Sequence, residues 1–162
     1  MKMLDIVDSL GGLAARRELV SAGVDPGQID LAAWYGWRLI RVRNGWFARP
    51  DEHPAVLRAW RIGGRLTCVS AVALHLGEAM PHVLHVEVAA NTARLHDPVW
   101  PRLPLAADAP VVVHWSRHPG PGDRRAVGLE HAEWVVERCG VHAGGPRRRP
   151  QAASSESASR MV

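Results

Sequence analysis

Apolar positions in the first fifty residues recur at helical spacing in three short runs and then switch to strand alternation. Leu4, Val7 and Leu10, with Ile6 beside them, line one side of residues 3–11, while Asp5 and Asp8 fall off it; Gly11-Gly12 ends the pattern. Residues 14–22 predict a second helix with Leu19 and Val20 inward and Gly23 at its stop. Asp25 can cap a third helix that holds Pro26 in its first turn, has Ile29, Ala33 and Trp34 as its apolar face, and closes at Gly36. Alternation takes over in Trp37–Pro50, WRLIRVRNGWFARP. Asn44-Gly45 predicts a type I′ turn, which pairs Arg43 with Trp46, Val42 with Phe47, Arg41 with Ala48 and Ile40 with Arg49. Ile40, Val42 and Phe47 then share one face of the hairpin, and Arg41, Arg43 and Trp46 the other.

A second block begins after Asp51 and Glu52. Pro54 starts a helix with Val56, Leu57 and Trp60 inward and Gly63-Gly64 at its end. Thr67 can cap the next helix, packed through Val69, Val72 and Leu76. Residues 83–89 alternate as a half-buried strand, with Leu84, Val86 and Val88 against Val83, His85 and Glu87. Residues 91–110 hold Pro98, Pro101, Pro104 and Pro110 and predict loop, Val111–Trp115 a strand, and Leu129–Arg138 an amphipathic helix with Trp134 and Val135 inward. Three short helices followed by a hairpin are the element order of a winged helix-turn-helix. The expected fold is therefore α+β: a winged helix-turn-helix over residues 1–50, a small mixed α/β domain over 51–139, and a disordered tail over 140–162, rich in glycine, proline, arginine, serine and alanine.

Composition adds limits. With 162 residues and 47% apolar content, the chain has enough material for a core. The net charge of +4 is only moderately basic, and Lys2 is the single lysine, so local clusters of arginine carry more meaning than the total. Asp5 and Asp8 interrupt the first apolar run, which argues against a signal peptide, and no run reaches the length of a membrane span; a cytoplasmic protein without membrane contact is expected. Two cysteines, Cys68 and Cys139, stand far apart in sequence with no CxxC, which fits a reduced protein.

The run GGLAARRELVSAGV, followed by RLIRVRNGWFARP, resembles the N-terminal domain of AbiEi-type antitoxins. Leu39, Arg41, Val42, Gly45, Phe47 and Pro50 occupy most positions of that family's hairpin pattern, with Phe47 replacing the usual tyrosine. LTCVSAVALHLG and MPHVLHVEV extend the resemblance to about Val88; Ser70 and Ala71 match, and Leu76 interrupts the expected His-Gly between His75 and Gly77. The resemblance implies an antitoxin and autorepressor of a type IV toxin–antitoxin system, a nucleotidyltransferase-like toxin as partner, and a homodimer on inverted repeats. In some relatives the chain continues into an endonuclease-like domain, and residues 116–162 offer no acidic-plus-lysine cluster of that kind.

For DNA, the third helix would be the reader, with Gln28, Asp30, Leu31, Ala32 and Tyr35 outward. Gln28 could pair with adenine and Tyr35 with a phosphate, but this helix has no arginine or lysine, and Asp30 opposes phosphate. The hairpin compensates: Arg38, Arg41, Arg43 and Arg49 have no acid among them, Trp46 could stack or wedge, and Arg16 and Arg17 lie where the second helix would meet the backbone. Double-stranded DNA is the partner these residues predict; the alternative is a protein-interaction module that neutralises a toxin or host factor. Arg58, Arg61 and Arg65 read as a solvated rim, and Arg147-Arg148-Arg149 as a solvated tract. His82 and His85, with His75 and His114, do not form a ligand set by spacing, and no cysteine or acid completes one, so no metal or cofactor is expected. His75 reads as a satisfied core histidine, and no nucleophile with base and oxyanion loop is apparent, so an enzyme is not expected.

Overall fold

The computed structural model describes residues 2–92, 95 and 110–140. The expected tail, from 141 on, and most of the proline-rich 91–110 loop lie outside them. The described chain is α+β, running α1 (Met3–Ser9), β1 (Leu13–Ala15), α2 (Arg16–Ser21), α3 (Pro26–Tyr35), β2 (Ile40–Arg43), β3 (Trp46–Ala48), α4 (Pro54–Ile62), β4 (Arg65–Leu66), α5 (Cys68–Leu76), β5 (Leu84–Ala89), β6 (Val111–Ser116) and α6 (Leu129–Arg138).

Two three-stranded sheets organise these elements. The first is antiparallel in the order β1-β3-β2; in the second, β4 runs antiparallel to β5, and β5 runs parallel to β6. Side-chain alternation divides the first sheet between two cores. Ala14 and Phe47 join Ile6, Val7, Leu19, Ile29, Ala32 and Leu39 beneath α1–α3. Leu13, Val42 and Ala48 instead join Val56, Leu57, Ile62, Leu66, Val86 and Val127 in the larger core.

Several elements depart from the reading of the sequence. Leu13–Ala15 are a strand paired with β3, so α2 starts at Arg16 rather than Ala14. Val20 is exposed, because only Leu19 of that pair points into the core. The hairpin forms at Asn44-Gly45, but among the described residues Gly45 takes positive φ (+71°) and Asn44 does not, so the turn is not type I′. Arg43 still faces Trp46; a bulge at Val42 then shifts the pairing, so Arg41 faces Phe47 and Ile40 faces Ala48. The bulge keeps Val42 buried and Arg41 exposed.

In the second half, β5 is buried on both faces rather than one, with His85 and Glu87 at 2% and 8% exposure. Trp134 is half exposed and Ala132 takes the buried place on α6. His75 is exposed on α5, its Nε2 lying 2.7 Å from the Val127 carbonyl oxygen. The arginines read as a rim are structural: Arg58 is buried, the Arg61 Nε donates to the Val42 carbonyl (3.3 Å), and Arg65 forks onto Glu87 (3.0 and 2.9 Å) while donating to the carbonyls of Asp123 and Gly120. Gly64 is required where β4 meets β5, since a Cβ there would lie 2.0 Å from the Glu87 carbonyl oxygen.

Candidate functional site

α3 is built for a defined start and stop. The Asp25 carboxylate accepts the Gln28 backbone N–H (3.1 Å), Pro26 occupies the first turn, and Gly36 ends the helix at φ +67°. Gln28, Asp30, Leu31 and Tyr35 are exposed as expected, but Ala32 is buried and Trp34 is 86% exposed. Ile29, Ala32 and Ala33 form the inward face instead. Leu31, Trp34, Tyr35 and the following Trp37 therefore give the outward side of α3 an apolar character. A groove of about 950 Å³ runs beside α1, lined by Met3, Leu4, Leu31, Tyr35 and Trp37.

The candidate DNA-contacting cations divide into two groups. Arg16 forks onto Asp30 (2.6 and 2.8 Å), tying α2 to α3, and holds that carboxyl below the usual carboxylate range, with the Arg41 charge adding to the effect. Arg49 bonds Asp8 (2.9 and 2.7 Å) and Asp51 (2.8 and 3.0 Å), tying the end of β3 to α1. Trp46 is half-buried, with its ring 4.4 Å from that of Trp60 and the Arg43 and Arg124 guanidinium groups over it at 5.7 and 5.4 Å. Arg43 stacks over Trp60 at 5.0 Å, and burial lowers its pKa. Arg17, Arg38 and Arg41 are exposed; Arg38 lies 4.2 Å over the Trp37 ring. Arg16 and Arg49 thus act first as clamps that neutralise acids near the surface, leaving Arg17, Arg38, Arg41 and the tryptophan-stacked Arg43 as its outward charge.

A second constellation lies in the other sheet. Cys68, His85, His114 and Cys139 bring their donor atoms within 4.8 Å of one another. His85 Nδ1 is 3.0 Å from His114 Nε2, and Cys139 Sγ is 3.8 Å from both. The parallel register, which pairs His85 with Val112 and Glu87 with His114, puts the two histidines on one face of adjacent strands. Cys68 comes from the first residue of α5 and Cys139 from the C-cap of α6. Burial pushes the Cys68 thiol up to about 12, the proximity of Cys139 adding to the rise. The Cys68 backbone is at φ +54°, unique among described residues other than glycine. Sequence spacing did not suggest this set, because each donor comes from a different element; the available signal was that both cysteines lie beside predicted secondary structure bearing histidines.

No protein-family model matches the chain, and no curated protein matches it. Among the described residues, no helix is long and apolar enough to cross a membrane.

Proposed function

We propose that residues 2–50 are a winged helix-turn-helix and that the protein is a DNA-binding transcriptional regulator. The observation that carries the reading is the arrangement of α1-β1-α2-α3-β2-β3, with an antiparallel β1-β3-β2 sheet that sets an arginine-bearing hairpin beside α3. Arg41 on β2 and Asp30 on α3 are both exposed, and β2 packs beside α3. Arg17, Arg38 and Arg41 would contact backbone phosphates, and Gln28 and Tyr35 are the polar groups α3 offers to a groove. Backbone and groove-shape recognition is favoured over a dense base code, because the other outward residues of α3 beyond Gln28 are the apolar Leu31 and Trp34 and an Asp30 already paired with Arg16. The resemblance to AbiEi-type antitoxins adds autorepression as the role and a nucleotidyltransferase-like toxin as partner.

The test is a gel-shift titration of the full chain on the DNA upstream of its gene, at several salt concentrations. Replacing Arg38 and Arg41 together by alanine should weaken binding and reduce the slope of log K against log salt by about 1.8. An unchanged affinity and slope would refute the wing as a DNA contact. A second reading, a protein-interaction module, is favoured by the exposed Leu31, Trp34, Tyr35 and Trp37. Wild type that binds no DNA at low salt, but holds a co-purifying partner that Trp34→Ser releases, would establish that reading instead.

A further inference from the structure

We propose that Cys68, His85, His114 and Cys139 bind a zinc ion that pins α5, β5, β6 and the end of α6 together. The proposal is independent of the DNA-binding reading, since all four ligands lie outside residues 2–50. Zinc bound tetrahedrally, with Zn–S of about 2.3 Å and Zn–N of about 2.0–2.1 Å, needs donor atoms about 3.3–3.8 Å apart. The separations of 3.0, 3.8 and 3.8 Å span that range, and every pair lies within 4.8 Å. A small opening of the histidine pair and closure of the wider pairs, all under 4.8 Å, would bring the donors to that spacing.

The donor chemistry selects the metal. Two sulfurs and two imidazoles suit zinc, whereas magnesium and calcium require oxygen ligands. Zn²⁺ with two thiolates and two neutral imidazoles has no net charge, so the complex can sit among buried residues without leaving an uncompensated ion. Four protein ligands leave no open coordination position, which makes the site structural rather than hydrolytic.

The surroundings hold the ligands in place. The His85 backbone N–H donates to Ser70 Oγ at 2.9 Å, and the Thr67 N–H donates to the His85 carbonyl at 3.1 Å, fixing β5 against the start of α5. Between those two anchor points, Cys68 adopts positive φ, a backbone geometry that costs an L residue energy and that orients its side chain into the cluster.

The test uses the reduced full-length chain. Elemental analysis after purification should find about one zinc per chain. Cobalt(II) titrated into chelator-stripped protein should give the intense visible bands and thiolate charge-transfer absorption of a tetrahedral S₂N₂ site. Cys139→Ser should weaken zinc binding by at least about tenfold. His114→Cys, which keeps four ligands, should retain metal and shift the cobalt bands toward those of an S₃N site, separating loss of a ligand from failure to fold. Absence of zinc in the purified chain together with no uptake of zinc or cobalt would overturn the proposal. So would uptake that Cys139→Ser leaves unchanged, or peptide mapping that finds a Cys68–Cys139 disulfide as the resting state.

Discussion

Arg124 is the residue on which the two halves of the chain converge. Its guanidinium meets both Glu18 oxygens (2.7 and 2.6 Å) and donates to the Leu13 carbonyl (2.9 Å), while the Ala15 N–H donates to the same carboxylate at 2.7 Å. The Arg124 hydrogen bonds hold the Glu18 carboxyl below its ordinary range, outweighing desolvation, with the Ala15 bond adding to them. A folded-state pKa below the unfolded one gives stability that is present above the unfolded value, near 4.5, and lost as pH falls through the folded one. Both side chains are about a quarter exposed, so solvent moderates the pair without abolishing it. Glu18→Gln should therefore cost roughly 1–3 kcal/mol at pH 7. Urea denaturation of both proteins at pH 7 and pH 3 checks this: the gap should narrow at the lower pH, and an equal gap at both would show that the carboxylate charge is not responsible.

At the scale of elements, most boundaries were legible because capping and turn chemistry is local. Asp25-Pro26, Gly36 and Asn44-Gly45 each mark an observed start, stop or turn. What was not legible was set by neighbours. Ala14 and Ala15 have helix-forming side chains, yet pairing with β3 makes them a strand. Trp34 is grouped with Ile29 and Ala33 by its apolar character, although at 100° per residue it lies about 140° round the helix from Ile29. Geometry prevailed over hydrophobicity there, and Ala32 and Ala33, which flank Ile29 on the helical wheel, are the residues turned inward. Substitution should expose the difference. Ile29→Ala, which empties a fully buried site, should cost about 2–5 kcal/mol. Trp34→Ala should change stability by no more than about 0.5 kcal/mol despite removing the larger side chain. Equal losses in thermal or urea unfolding would mean that α3 packs on a different face.

For the whole molecule, the Cys68–His85–His114–Cys139 set shows where reading a sequence stops. No pair has metal-ligand spacing along the chain, and only the parallel pairing of β5 with β6, capped by α5 and α6, brings the donors together. The contacts between the two sheets have the same non-local origin. Leu13, Val42 and Ala48 are buried in a core supplied mostly by residues after 51, and Trp46 packs on Trp60, whose Nε1 donates to the Arg124 carbonyl at 2.5 Å. Residues 2–50 in isolation would expose that side of their sheet, leaving apolar surface uncovered and the Glu18 carboxylate without Arg124. The two halves should consequently unfold together. Fluorescence of a variant with every tryptophan but Trp46 and Trp60 replaced by phenylalanine, which senses the Trp46–Trp60 contact, and far-UV circular dichroism, which senses all the helices, should give coincident urea transitions at fixed metal content. Arg124→Ala should move both midpoints downward in step, by the equivalent of about 1–3 kcal/mol. Separate transitions, with the fluorescence change preceding the loss of helix, would mean that the shared core does not couple the N-terminal unit to the rest.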